Sequence, residues 1–147
     1  MADFKVFRGD VWEAFDADPR SVLLHGATSK RPAKSGFAAT VVARVGERAI
    51  EAHYDSDLGE VCWLTPRIAV GVTQPAYYKA NASLIVEAVA RAGVRTFAGA
   101  SVLLVPLIGG GLGSLSMAES MDAIKQGALL SDLPVHLYLL PPPKAAA

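Results

Sequence analysis

The sequence has a single cysteine, Cys62, so no disulfide can form within the chain. Its three histidines, His25, His53 and His136, are scattered and make no metal-ligand spacing, so no metal site is expected. Charge of one sign is not in excess: 14 basic residues balance 14 acidic ones. That excludes a bulk-charge binder of nucleic acid, which must neutralise many phosphates. It leaves open a nucleotide held by a few backbone groups. No apolar run approaches the roughly 20 residues that cross a bilayer. The opening Met1-Ala-Asp-Phe-Lys lacks the pattern of a signal peptide, and a cytoplasmic location without membrane contact is expected.

What is present is 147 residues, 52% of them hydrophobic, enough for one domain with its own core. There is no repeat or composition break. A domain over 1–140 is expected, followed by a disordered tail, Pro141 to Ala147. Phe4–Phe7 reads as an edge strand and Val11–Phe15 as a short turn or helix. Ser21–His25 is a continuous apolar run, the pattern of a strand covered on both faces. A loop over Gly26–Gly36 and a buried helix over Phe37–Val45 follow, with a second short helix at Ala49–Tyr54. Val61–Leu64 and Ile68–Val72 read as strands, with Cys62 as a buried structural thiol. Tyr78–Ala92 has helical apolar spacing, with Gly93 as the glycine that ends it. Ser101–Pro106 is the strongest buried strand. Ser116–Leu130 reads as a helix with a capping box, Ser116 and Glu119, and Val135–Leu140 as the last strand. Strands alternating with helices predict an α/β domain with a mixed, mostly parallel sheet and helices on both faces. Ligands of such sheets bind beyond the carboxyl ends of the strands.

Two loops leave buried strands and precede helices: His25 to Ala38, and Pro106 to Gly113. The second holds four glycines in five residues, Gly109, Gly110, Gly111 and Gly113. Glycines let successive N–H groups converge and let a diphosphate approach the backbone with no Cβ in the way. A helix start just beyond adds its positive dipole end. The segment is neither a P-loop nor a dinucleotide fingerprint; a phosphate cradle and a tightly packed connector are the two readings. Asp10 can serve as a turn former or as acceptor for an adenine amino group. His25 ends a buried strand and is either a satisfied core group or an acid/base. Tyr77 and Tyr78 can stack on a ring or cover the sheet edge. Lys30, Arg31 and Lys34 add a small basic cluster beside the first loop.

Arg8-Gly9-Asp10-Val11, then Leu23-Leu24-His25 with Lys34-Ser35-Gly36-Phe37-Ala38, then Pro106-Leu107-Ile108-Gly109-Gly110-Gly111-Leu112-Gly113, resemble a macro domain. The nearest branch is that of terminal ADP-ribose protein glycohydrolase, and Phe4 to Leu140 can be laid along the fold. The resemblance implies a three-layer α/β/α sandwich and an ADP-ribose ligand, with no further cofactor. It would put Asp10 and Val11 at the adenine, and Ser35, Gly36 and Phe37 beside the diphosphate and distal ribose. Ile108, Gly109, Gly110, Gly111, Leu112 and Gly113 would wrap the diphosphate from the other side.

The chain departs from that branch where the chemistry sits. The resembled hydrolases carry an aspartate just after the Gly-x-Gly-Leu segment; here that position is Gly113. Where they carry a lysine that forms an adduct with the sugar, this chain reads Gly71-Val72-Thr73-Gln74-Pro75, and Gln74 cannot form a Schiff base. Lys79 lies five residues on. The resemblance therefore implies a binder of ADP-ribose, of a related NAD-derived nucleotide, or of an ADP-ribosylated macromolecule. The alternative is an ADP-ribosyl hydrolase or ADP-ribose 1″-phosphatase in which His25 is the acid/base. A third possibility is an interaction domain that keeps the fold without the ligand.

Overall fold

A computed structural model describes residues 3–28, 36–48, 58–74, 80–94, 96–107 and 115–139. They form six strands and four helices. In chain order these are β1 (Phe4–Arg8), α1 (Val11–Ala17), β2 (Ser21–Thr28), α2 (Gly36–Val45), β3 (Val61–Thr65), β4 (Ile68–Gln74), α3 (Ala82–Val94), β5 (Val102–Pro106), α4 (Met117–Leu129) and β6 (Val135–Leu139). One sheet runs in the order β1-β6-β5-β2-β4-β3. All neighbours are parallel except β3, which pairs antiparallel with β4. The expected mixed, mostly parallel α/β sheet is present.

Strand alternation sorts the core into two halves. Val22, Leu24, Leu103, Val105, Val135 and Leu137 face one side and pack against Ile85, Ala88 and Val89 of α3 and Ala123, Ile124 and Ala128 of α4. Leu23, Ile68, Val102 and Leu104 face the other and pack against Val11, Trp12 and Phe15 of α1 and Val41 of α2. The result is a three-layer sandwich. Because both faces of β2 and β5 are covered, their sequences are continuous apolar runs. Burying each such side chain contributes roughly 1.5–3 kcal/mol.

Arg67, in the turn between β3 and β4, ties the α1 corner together. Its guanidinium donates to the carbonyl oxygens of Phe15, Asp18 and Ser21 at 2.8 Å each and lies 3.9 Å over the Phe15 ring. The charge sits where the last carbonyls of α1 concentrate negative potential. Asp18 closes the same corner, accepting from the Arg20 N–H and the Ser101 hydroxyl. The Ser101 bond is the largest cause holding its pKa below the usual carboxylate value.

Four expectations need correction. The predicted loop from Gly26 begins too early, because β2 continues through Gly26 and Ala27 to Thr28 alongside β4, with a shift of register between Ala27 and Thr28. The third helix does not start at Tyr78. It starts at Ala82, after Asn81, whose side-chain oxygen accepts from the N–H groups of Ser83 and Leu84. Gly93 does not end that helix but lies inside it. A Cβ there would stand 1.8 Å from Ser131 Oγ, so the glycine serves close approach to the segment after α4. Cys62 is only half-buried, since β3 is an edge strand. The expected Ala49–Tyr54 helix and the tail from Pro141 lie outside the described residues. No helix among the described residues is long and apolar enough to cross a membrane.

The α3–α4 contact is equally close. A Cβ on Gly127 would meet Val89 Cβ at 2.6 Å and the Val86 carbonyl at 2.8 Å. Glycine to alanine inside a helix ordinarily stabilises by up to about 1 kcal/mol. Here overpacking reverses the sign: Gly127→Ala should lose about 1–3 kcal/mol in a denaturant titration. A gain in stability would show that the two helices have room to separate.

Candidate functional site

The topology defines where a ligand can sit. From β2 the chain moves outward to β3 and β4; from β5 it moves the opposite way, to β6. The adjacent pair β2–β5 is therefore the point where the strand order reverses, and the crevice of an open α/β sheet forms there, beyond the carboxyl ends. The segment 29–35 follows β2, and the segment 108–114 follows β5 closely. The helices that come next, α2 and α4, begin at this same edge of the sheet, on opposite faces. Both direct helix N-termini toward it, an arrangement that favours anions.

The pairing of the two strands is short. Ser21, Val22 and Leu23 pair with Val102, Leu103 and Leu104, and the ladder ends there among the described residues. Beyond it, β2 continues along β4 to Thr28 and β5 continues along β6 to Pro106. Exposure changes over the same stretch. His25 and Ala27 are buried while Gly26 between them is half-exposed, and Pro106 is the one residue of β5 that is not buried.

Asp10 caps α1: its carboxylate accepts the Trp12 N–H at 2.9 Å. The residue is exposed at the carboxyl end of β1, on the edge of the sheet that carries the crevice. Val11 is 5% exposed and packs into the core, so its side chain faces away from any ligand and only its backbone is on offer. Gly36 is the first residue of α2, and Phe37 follows it. The Phe37 ring stacks on Trp12 at 5.4 Å with an interplanar angle of 5°, and it leans on His25 at 5.9 Å. Trp12 Nε1 donates to Thr40 Oγ1 at 2.9 Å, and the Arg44 guanidinium covers the Trp12 ring at 4.1 Å. Arg44 is itself clamped by both oxygens of Asp16. Trp12 thus joins α1, bearing Asp10, to α2, bearing Gly36 and Phe37.

His25 is 4% exposed, on the α1–α2 side of the sheet beneath Phe37. Glu119 is engaged in the capping box of α4, where its carboxylate accepts the Ser116 N–H. That bond is the largest cause lowering its pKa from the usual glutamate value. Ser35, Ile108, Gly109, Gly110, Gly111, Leu112 and Gly113 lie outside the described residues, as do Lys30, Arg31, Lys34, Tyr77, Tyr78 and Lys79. No cluster of metal-binding side chains occurs among the described residues. The Trp12–Phe37 stack and the early end of the β2–β5 ladder are not among the features expected from the sequence. The first had no local signal. The second had one, a proline closing the most apolar strand.

No family model and no curated protein matches the chain. Solved structures do. The macrodomain of Mycobacterium tuberculosis DarG superposes with a TM-score of 0.74 at 15% identity, covering 97% of this chain and 100% of that one. The IBV X-domain gives 0.64 at 16% identity, over 98% of this chain and 92% of the other. Thermosipho africanus DarTG, solved in complex with ADP-ribose, gives 0.70 at 16% identity over 100% of this chain, which spans 43% of that longer one. The fold is therefore that of a macro domain, with its six-stranded, mostly parallel sheet between two helical layers.

Asp10 has a structural duty that can be separated from any ligand role. Asp10→Ala should cost about 1 kcal/mol by removing the cap, whereas Asp10→Ser, which also caps, should stay within a few tenths. Equal stability of both variants and the parent in a denaturant titration would show that the cap contributes nothing.

Proposed function

We propose that this chain binds ADP-ribose, or a closely related NAD-derived nucleotide, in the crevice between β2 and β5. The ligand is either free or carried on a modified macromolecule. The observation that carries this reading is the match over the full chain to a structure solved with ADP-ribose bound. The reversal of strand order at β2–β5 supports it, because that is where such sheets take their ligands. In this reading the diphosphate lies between Ser35–Phe37 and the Ile108–Gly113 segment. Convergent N–H groups replace its hydration there, and the starts of α2 and α4 offset its charge. Asp10 accepts from the adenine amino group with the oxygen that does not cap α1, and Val11 offers its backbone.

The reading is one of binding rather than turnover. Cleavage at an anomeric carbon needs an acid/base beside the sugar. Gly113 has no side chain and Gln74 is no nucleophile. Glu119 is committed to its cap, and His25 is packed beneath Phe37. The chain is thus read as a relative of the terminal ADP-ribose protein glycohydrolase branch that recognises the ligand without its usual catalytic pair.

Calorimetric titration with ADP-ribose tests this. One equivalent should bind, and ligand at 100 times its Kd should raise the unfolding free energy by about 2.7 kcal/mol. Gly110→Val should abolish binding without unfolding the protein, and Asp10→Ser should weaken it while leaving stability intact. Absence of heat and of thermal shift at millimolar ADP-ribose would refute the proposal.

A further inference from the structure

We propose that Pro106 holds the crevice open, by withholding the one N–H that would carry the β2–β5 ladder past Leu23 and Leu104. The proposal rests on reading this crevice as the nucleotide site, and it adds a positioning residue to it.

Backbone groups alternate in direction along the two strands. Leu103 donates its N–H to the Pro134 carbonyl, on the β6 side, at 2.9 Å. The N–H groups of residues 102, 104 and 106 must then point the other way, toward β2. Leu23 donates to the Arg67 carbonyl, on the β4 side, at 2.8 Å. The N–H and C=O groups of Leu24 and Gly26 must then point toward β5. In the observed register Leu23 faces Leu104, so Leu24 would next face Val105, with a bond from the N–H of residue 106. A parallel pairing at that position needs a bond from the N–H of 106 to the carbonyl of Leu24. Residue 106 is proline and has no N–H. The ladder ends at Leu23 and Leu104, the last pair that needs no bond from residue 106.

The same residue costs the other ladder nothing. β5 bonds β6 through the N–H groups of 103 and 105, and Pro106 stays in register with Tyr138. Proline in a central strand ordinarily removes a ladder bond and is disfavoured there. Here the bond it removes is the one that would close the sheet at its switch point. The half-exposure of Gly26 and Pro106 marks the opening on both sides. Four backbone groups then line it: the Leu24 carbonyl, the Gly26 N–H and carbonyl, and the Pro106 carbonyl. The Gly26 N–H is a donor suited to a phosphate or ribose oxygen. The carbonyls suit ribose hydroxyls.

The test uses Pro106→Val and Pro106→Ala in the full chain, with folding checked by circular dichroism. Both restore the N–H, with a large and a small side chain. Each should slow hydrogen exchange of the Gly26 amide at least tenfold, as the ladder advances. Each should weaken ADP-ribose binding at least tenfold. A valine-like residue joined at 106 through an ester rather than an amide has the side chain and no N–H. It should keep fast Gly26 exchange and the parent affinity. Unchanged Gly26 exchange in both variants overturns the role of Pro106, whatever the protein binds. Slowed exchange with unchanged affinity overturns the placement of the ligand in this crevice. If the parent protein binds no ADP-ribose, the exchange result alone still decides whether Pro106 sets the opening.

Discussion

The parallel pairing of β2 with β5 is the constraint on which the rest of the molecule depends. It joins the two halves of the sheet, and it is only three residues long. From it the chain leaves in opposite directions, so each half is free to follow its own twist. One half, β4 and β3, carries β2 outward through Thr28. The other, β6 and β1, carries β5 through Pro106. This pairing joins the two halves of the sheet and ends short of its carboxyl edge, on the side where open α/β sheets take their ligands.

The helical layers hold that division in place by different means. On one face α3 and α4 approach so closely that Gly127 and Gly93 are needed at the contacts. This side is a closely packed apolar layer. On the other face α1 is only seven residues long and gains little from its own hydrogen bonds. Its position depends on Arg67 at its end and on Trp12, which is stacked on Phe37, bonded to Thr40 and covered by Arg44. The element that carries Asp10 and the element that carries Phe37 therefore move together. A ligand touching both meets a preorganised pair, which lowers the ordering cost of binding.

Much of this was legible in the sequence because the signals were local. Continuous apolar runs marked β2 and β5, and the Ser116–Glu119 spacing marked the start of α4. Asp10 stands at the carboxyl end of β1 as the cap of α1, and the glycine-rich segment lies outside the described residues. What was not legible depended on distant partners. Gly26 resembles a loop glycine until β4 is placed beside it. Gly93 resembles a helix terminator until Ser131 is placed against it. The start of α3 is set by the Asn81 side chain, which accepts from the Ser83 and Leu84 N–H groups, and apolar spacing does not register a cap of that kind. Cys62 took its exposure from the edge position of β3, which depends on strand order rather than composition.

The central claim is that an ADP-ribose diphosphate occupies the opening between β2 and β5. Backbone amide chemical shifts followed during an ADP-ribose titration test it most directly. The account predicts saturable shifts at Gly26, Thr28, Phe37 and Leu107, with no response at Val94, Leu129 and Leu130 at the opposite end of the sheet. Saturable shifts confined to that far end, or none anywhere at millimolar ligand, would contradict it.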